Sequence, residues 1–243
     1  MIEHIIALDP AKRRDYTAAM IMSFSPEFVS GVESLDQPDR TVVWHDITLL
    51  EKVQGITYRE VADIGERLMT MSNTNNNAKL LVDGTGVGEA VIEHLIERRI
   101  DPLPIIFTGG GSVREVYQET GQIFAQAGSA FRGVRTLKEL HVPKVDLVAA
   151  GKSLAQSRRI RIVEGIPYRD DFRSQVKGFY GKINEESRRW TFEAITENVH
   201  DDLLVCLLMC AWYARRINTI KETTVERNRE EATSEGFDPY DYV

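Results

Sequence analysis

The sequence predicts an α/β protein built on a mixed sheet, with antiparallel hairpin strands first, parallel strands after them, and helices on both faces. Three observations predict this. Strand-length apolar runs joined by short connections crowd the first fifty residues. From Thr57 onward the apolar period switches to three and four, and strand-like runs then alternate with helical ones. Near the end, Leu203 to Ala214 is an uninterrupted apolar run of 12 residues, a helix that must be covered on several sides.

The elements follow in order. Ile2 to Leu8 reads as a strand ending on Asp9-Pro10, and Tyr16 to Phe24 as its hairpin partner across a short basic turn. Pro26 to Arg40 connects to a third strand, Thr41 to Leu50. A helix is predicted from Thr57 to Met71 on the spacing of Val61, Ile64, Leu68 and Met71, and Asn73 to Asn77 breaks it. Strands follow at 79–83 and 104–108, with a helix between them and glycines at 109–111. Residues 112–141 have the mixed polarity of a long loop with one helical turn. Val142 to Ser157 reads as a helix with Pro143 near its start, Arg158 to Val163 as an edge strand, Tyr168 to Tyr180 as a helix and Trp190 to Ile195 as a strand. His200 to Ile217 is the buried helix. The domain is drawn at 1–218, and the polar stretch 219–243 is expected to be a flexible tail.

The stretch Lys79 to Glu93, KLLVDGTGVGEAVIE, concentrates the chemistry. Leu80, Leu81 and Val82 suit a strand buried on both faces, and Val87, Val91, Ile92, Leu95 and Ile96 keep helical spacing, so Asp83 stands at the carboxyl end of a central strand. Ligands gather at that edge of open α/β sheets. A dinucleotide fingerprint fails because the third glycine comes one residue early, at Gly88. A P-loop fails because Glu89-Ala90 stands where Lys and Ser or Thr are required. A strand-to-helix turn with an incidental Asp is the plain alternative.

Hairpin strands followed by β-α-β units are the plan of the ribonuclease H-like nucleases. In that plan the first and fourth strands are parallel neighbours, so Asp9 and Asp83 are expected side by side. Asp201 and Asp202 supply a third acidic position at the head of the last helix. Asn198 and Asp201 have N-cap spacing, which gives Asp201 a structural explanation that Asp202 lacks, so Asp202 is preferred as ligand. Favourable interaction with the helix dipole is the plain reading of both. His200 is read first as a loop histidine and second as a metal neighbour or proton carrier. Asp15, across the hairpin turn from Asp9, is an accessory acid or a turn cap. Three converging carboxylates repel unless cations lie between them. Hard oxygen ligands select Mg²⁺ or Mn²⁺, and two such ions roughly 3.5–4 Å apart can drive phosphodiester hydrolysis.

Composition sets the remaining bounds. With 243 residues, 42% hydrophobic and 28% charged, the chain can bury a full core, and a net charge of -7 argues against coating nucleic acid by bulk electrostatics. It leaves room for a nuclease whose basic residues cluster locally. Lys12, Arg13 and Arg14, directly after Asp9, are the first candidates to meet DNA phosphates, and Arg158, Arg159 and Arg161 the next; a solvated face is the plain reading of each cluster. Cys206 and Cys210, one helical turn apart in an apolar run, read as core thiols of a reducing compartment. No run is long enough to span a bilayer, and no secretion signal opens the chain, so a soluble protein that is not secreted is expected.

Four stretches, ALDPAKRRDYTAAMI, LLVDGTGVGEAVIEHL, VPKVDLVAAGKSLAQSRRIRI and VHDDLLVCLLMCAWYA, together resemble the nuclease domain of the large terminase subunit of tailed bacteriophages. The resemblance runs in order over residues 2–216. It implies a metal-binding triad of Asp9, Asp83 and Asp202, with Asp201 as the adjacent acid and Asp15 as an accessory one. It further implies cleavage of double-stranded viral DNA during packaging, in the cytoplasm of an infected bacterial host, with an ATPase motor domain, a small terminase subunit and a portal protein as partners. No G-x-x-x-x-G-K-[ST] occurs in the sequence, so the motor is expected to be missing from this chain. Three rivals are weighed. A Holliday-junction resolvase of the same fold would prefer four-way DNA. An actin-like or sugar-kinase-like protein would bind ATP, for which Pro10-Ala11-Lys12-Arg13-Arg14 is a poor phosphate loop. A non-catalytic portal-docking module would have no use for the acids.

Overall fold

Strand β1 (His4–Asp9) is the centre from which the sheet grows, because its four inner residues, Ile5, Ile6, Ala7 and Leu8, are apolar on both faces and fully buried. In the computed structural model, residues 3–11, 14–29, 40–71, 77–126, 129–184, 189–194 and 201–217 are described. β1 pairs antiparallel with β2 (Tyr16–Val29) and parallel with β4 (Ala78–Asp83). β2 pairs antiparallel with β3 (Arg40–Gln54), and β4 pairs parallel with β5 (Leu103–Thr108). With β6 (Arg114–Gln126), β7 (Ser129–Pro143) and β8 (Ile160–Ile162), the full order is β6-β7-β5-β4-β1-β2-β3-β8. This is the mixed sheet expected from the sequence, and its inner order 3-2-1-4-5 makes β1 and β4 the anticipated parallel neighbours.

The alternation of β1 assigns the two faces. Ile6 and Leu8, with Leu80 and Val82 of β4, face one cluster, which is closed by α1 (Tyr58–Thr70) and α2 (Gly88–Glu97). Ile5 and Ala7, with Leu81, face the other cluster, which is closed by α3 (Lys144–Gln156), by Phe172 of α4 (Arg169–Gly178) and by α5 (residues 202–217). Leu203, Leu204, Cys206, Leu207, Met209 and Cys210 of α5 are all buried there, each large side chain contributing about 1.5–3 kcal/mol. α1 opens on a capping box: Thr57 Oγ1 accepts from the Glu60 amide, and Glu60 Oε2 accepts from the Thr57 amide.

Two expectations are corrected. Residues 112–141 are not a loop; they form most of a long antiparallel ribbon, β6 and β7, paired from Arg114↔His141 to Gln126↔Ser129. Apolar alternation is strong where a strand meets the core, and among the residues of this ribbon whose burial is described those that do so are Leu137, Leu140 and Val142. Backbone pairing, which leaves no mark on composition, runs along the ribbon. The helix expected from Val142 begins at Lys144, because Val142 and Pro143 still pair with β5 at the end of β7. Smaller shifts follow the same logic. β2 and β3 run longer than expected, and Phe179 and Tyr180 open β9 (Phe179–Asn184), which pairs with β10 (Arg189–Ala194) in a separate ribbon. The predicted tail and Asn198 lie outside the described residues. Among those residues no helix is long and apolar enough to cross a membrane.

Candidate active site

The β1–β4 register runs from His4↔Ala78 to Leu8↔Val82, so the next residues, Asp9 and Asp83, end adjacent parallel strands. Both continue the parity of Ala7 and Leu81 and so belong to the face covered by α5. Across the sheet, Asp9 pairs with Ala18 and Ala18 pairs with Lys52, which places an acid, a small residue and a base in one row.

The turn after β4 fixes Asp83. Its Oδ1 accepts a 2.8 Å hydrogen bond from the Thr85 amide, and the Phe107 amide of β5 donates to Thr85 Oγ1 at 3.2 Å. Gly86 takes a left-handed φ of 69°, which a side chain would disfavour. Gly88 begins α2 so close to the strand that an added Cβ would lie 1.8 Å from the Asp83 carbonyl oxygen. The glycines thus serve a sharp strand-to-helix turn that presents the carboxylate.

The head of α5 brings the third acidic position. Asp201 stands at the N-cap position, since its carbonyl accepts the first helical hydrogen bond from the Val205 amide at 2.8 Å, and Asp202 is the first helical residue. Asp201 is exposed, whereas the Asp202 side chain is 13% exposed. Burial holds the Asp9 carboxyl well above the usual carboxylate range, and the charges of Asp83, Asp202 and Asp201 push it further in the same direction. Asp83 is also raised, chiefly by burial, against the lowering effect of its Thr85 hydrogen bonds and of the Lys144 charge. Four acids from three elements therefore share one field.

The sequence did not single out the groups that answer this field. Lys52 Nζ lies 3.0 Å from Asp171 Oδ2 and 3.5 Å from Asp202 Oδ2, and it stacks 4.4 Å from the centroid of the Tyr16 ring. Its side chain is 8% exposed. A lysine at the same parity as core-facing Leu50 was the available signal, because an inward charge in a strand needs a partner. Gln175 and Lys144 carried no such mark.

The donor set fits a hard divalent cation in kind: every candidate ligand is a carboxylate, and the mutual repulsion at Asp9 is what such a cation relieves. Among the described residues no group of three or more His, Cys, Asp or Glu side chains is gathered tightly enough to hold a metal ion. Asp202 Oδ2 also lies 3.5 Å from Lys52 Nζ.

The other predicted residues are not all brought here. Asp15 and Arg14 are exposed in the turn before β2, and Gln54 Nε2 donates to the Arg14 carbonyl. Lys12, Arg13 and His200 lie outside the described residues. Arg158, Arg159 and Arg161 sit away from the acids: Ile160 pairs with His45, level with the start of β1, roughly 20 Å along the strands from the level of Lys52 and Asp9. Arg161 is also engaged in place, donating to Asp46 and Ser25 and stacking 4.6 Å from the centroid of the Trp44 ring. The Asp46 carboxyl is accordingly held low by Arg161 and Ser25, which outweigh its partial burial.

No protein-family model and no curated protein matches the chain. Among solved structures, the large terminase nuclease from thermophilic phage G20c is similar, with 14% identity, coverage of 85% of this chain and 79% of that one, and a TM-score of 0.48. The likeness is one of fold.

Proposed function

We propose that this chain is a metal-dependent endonuclease that cleaves double-stranded DNA. The reading is supported by one observation: Asp9 and Asp83 end adjacent parallel strands on the face covered by α5, and the charges of Asp83, Asp202 and Asp201 add to burial in disfavouring ionisation of Asp9. These residues would hold Mg²⁺ or Mn²⁺. Bound there as a pair, the ions would activate a water and stabilise the leaving oxygen of a phosphodiester. The chain's own groups do the positioning: the Thr85 amide orients Asp83, Lys52 faces Asp202, and Lys144 offsets the charge of Asp83. Within this reading, the four sequence blocks favour cutting of viral DNA during packaging, alongside an ATPase motor, a small terminase subunit and a portal. Supercoiled plasmid incubated with Mn²⁺ or Mg²⁺ is expected to be nicked and linearised with little sequence preference, and EDTA should stop it. Cleavage undiminished by EDTA would remove the metal from the mechanism.

The turn between β1 and β2 leaves the sheet directly after Asp9, so Lys12, Arg13 and Arg14 are the residues proposed to meet phosphates beside the scissile bond. Changing all three to Ala is expected to weaken DNA binding about equally across sequences and to flatten its salt dependence by roughly one unit of slope per lost contact. A binding titration over salt with an inactive variant measures this. An unchanged slope would return the three to a solvated turn.

A further inference from the structure

The head of α5 is capped from another element. The amides of Leu203 and Leu204 donate to Gln175 Oε1, at 3.0 and 3.1 Å, and Gln175 is 1% exposed. Asp201 stands at the N-cap position, where an aspartate side chain normally takes these amides itself. Here a residue 28 positions upstream takes the Leu203 amide, and Asp201 remains in the field of Asp9. One turn before Gln175 on the same face of α4, Asp171 Oδ2 accepts from Lys52 Nζ, and that ammonium also faces Asp202. α4 therefore reaches three consecutive residues of α5, Leu203 and Leu204 directly and Asp202 through Lys52.

We propose that α4 is a clamp that sets the Asp202 carboxylate in the acidic site, with Gln175, Asp171 and Lys52 as its positioning residues. The proposal rests on the nuclease reading for the use of Asp202, but the clamp itself is a matter of metal affinity. Free rotation of the helix head would swing Asp202 relative to Asp9 and Asp83, which are fixed by the sheet. Partners that orient a ligand in this way are commonly worth 10–100-fold in metal affinity.

The test is a Mn²⁺ titration of the full chain, following the electron paramagnetic resonance signal of the free ion, with folding checked by circular dichroism. Gln175→Leu removes the acceptor while keeping bulk, and should weaken Mn²⁺ binding by about tenfold or more. Gln175→Glu, which restores an acceptor, should recover most of it. In cleavage, Gln175→Leu should lower kcat with KM for DNA unchanged, a split that general destabilisation does not give. Unchanged Mn²⁺ affinity in folded Gln175→Leu would overturn the clamp and leave the nuclease reading standing. Parent protein that binds Mn²⁺ through Asp9 yet cuts no DNA, with Gln175→Leu still weakened, would do the reverse. Parent protein that binds no Mn²⁺ would overturn both. Should Gln175→Leu fail to fold, Asp171→Asn carries the test, since the Asp171 side chain is 40% exposed. Deprived of its nearer carboxylate, the Lys52 ammonium should settle on Asp202 and weaken Mn²⁺ binding even at about 0.5 M salt, where through-space effects are screened. Parent-like affinity there would overturn the clamp.

Discussion

Asp9→Asn is expected to lower Mn²⁺-dependent plasmid cleavage by about 10³-fold or more and, in metal-free protein, to raise the melting temperature. Both effects have one cause. Asp9 is held at the end of a buried strand among Asp83, Asp202 and Asp201, so its ionised form is disfavoured in the folded state. The folded pKa is raised above the unfolded one. Between those two values the folded state binds more protons than the unfolded state, so stability falls as pH rises from the ordinary value of 3.8 through the folded pKa. As pH rises through that window the parent carries more and more of this penalty, and an amide of the same shape does not. A gain of about 1–2 kcal/mol, or roughly 2–8 °C at this chain length, is expected at pH 8 in EDTA. Near pH 4 the parent carboxyl is protonated and the difference should close. Thermal melts of both proteins at the two pH values measure it. An Asn variant no more stable than the parent at pH 8 would contradict the proposed strain at Asp9, and undiminished cleavage would remove it from the chemistry.

The second large effect is expected at Gly88. An alanine Cβ there would lie 1.8 Å from the carbonyl oxygen of Asp83 and 2.8 Å from its carbon. Neither neighbour is a flexible side chain, so α2 must move off the strand or the turn must open. Gly88→Ala is expected to cost about 3–4 kcal/mol and to reduce cleavage beyond what the lost stability explains, because the displaced atoms belong to a proposed ligand. Gly109→Ala is the control. Nothing lies within 4 Å of its added Cβ, and it should melt within about 0.5 kcal/mol of the parent. Chemical denaturation of the pair decides the matter, and a Gly88→Ala variant as stable as Gly109→Ala would show that the turn yields cheaply.

What could be read from the sequence was whatever hydrophobic burial writes into it. β1 and β4 were visible because strands buried on both faces must be apolar throughout, and an Asp at the end of each such run stands out. Their adjacency was expected from the ribonuclease H-like plan that the order of elements suggested. α1 was visible from its apolar stripe and α5 from its lack of any polar face. The ribbon of β6 and β7 was not visible, since its register is a matter of backbone pairing that any sequence can make. Arg158 to Val163 was recognisable as an edge strand, but not the partner of Arg161, because Asp46 lies 115 positions away. For the same reason, the link from α4 through Lys52 to Asp202 joins residues that no local spacing connects. Long-range polar contacts are set by topology, and the sequence shows only their ends.

α5 supplies the third acid from the last described stretch of the chain, 119 positions after Asp83. On a ribosome adding about 5–20 residues per second, roughly 6–24 s separate the synthesis of Asp83 from that of Asp202. Through that interval the nascent protein carries two of its three acids and lacks the third. The proposed site can therefore assemble only after the sheet that must hold it has been made.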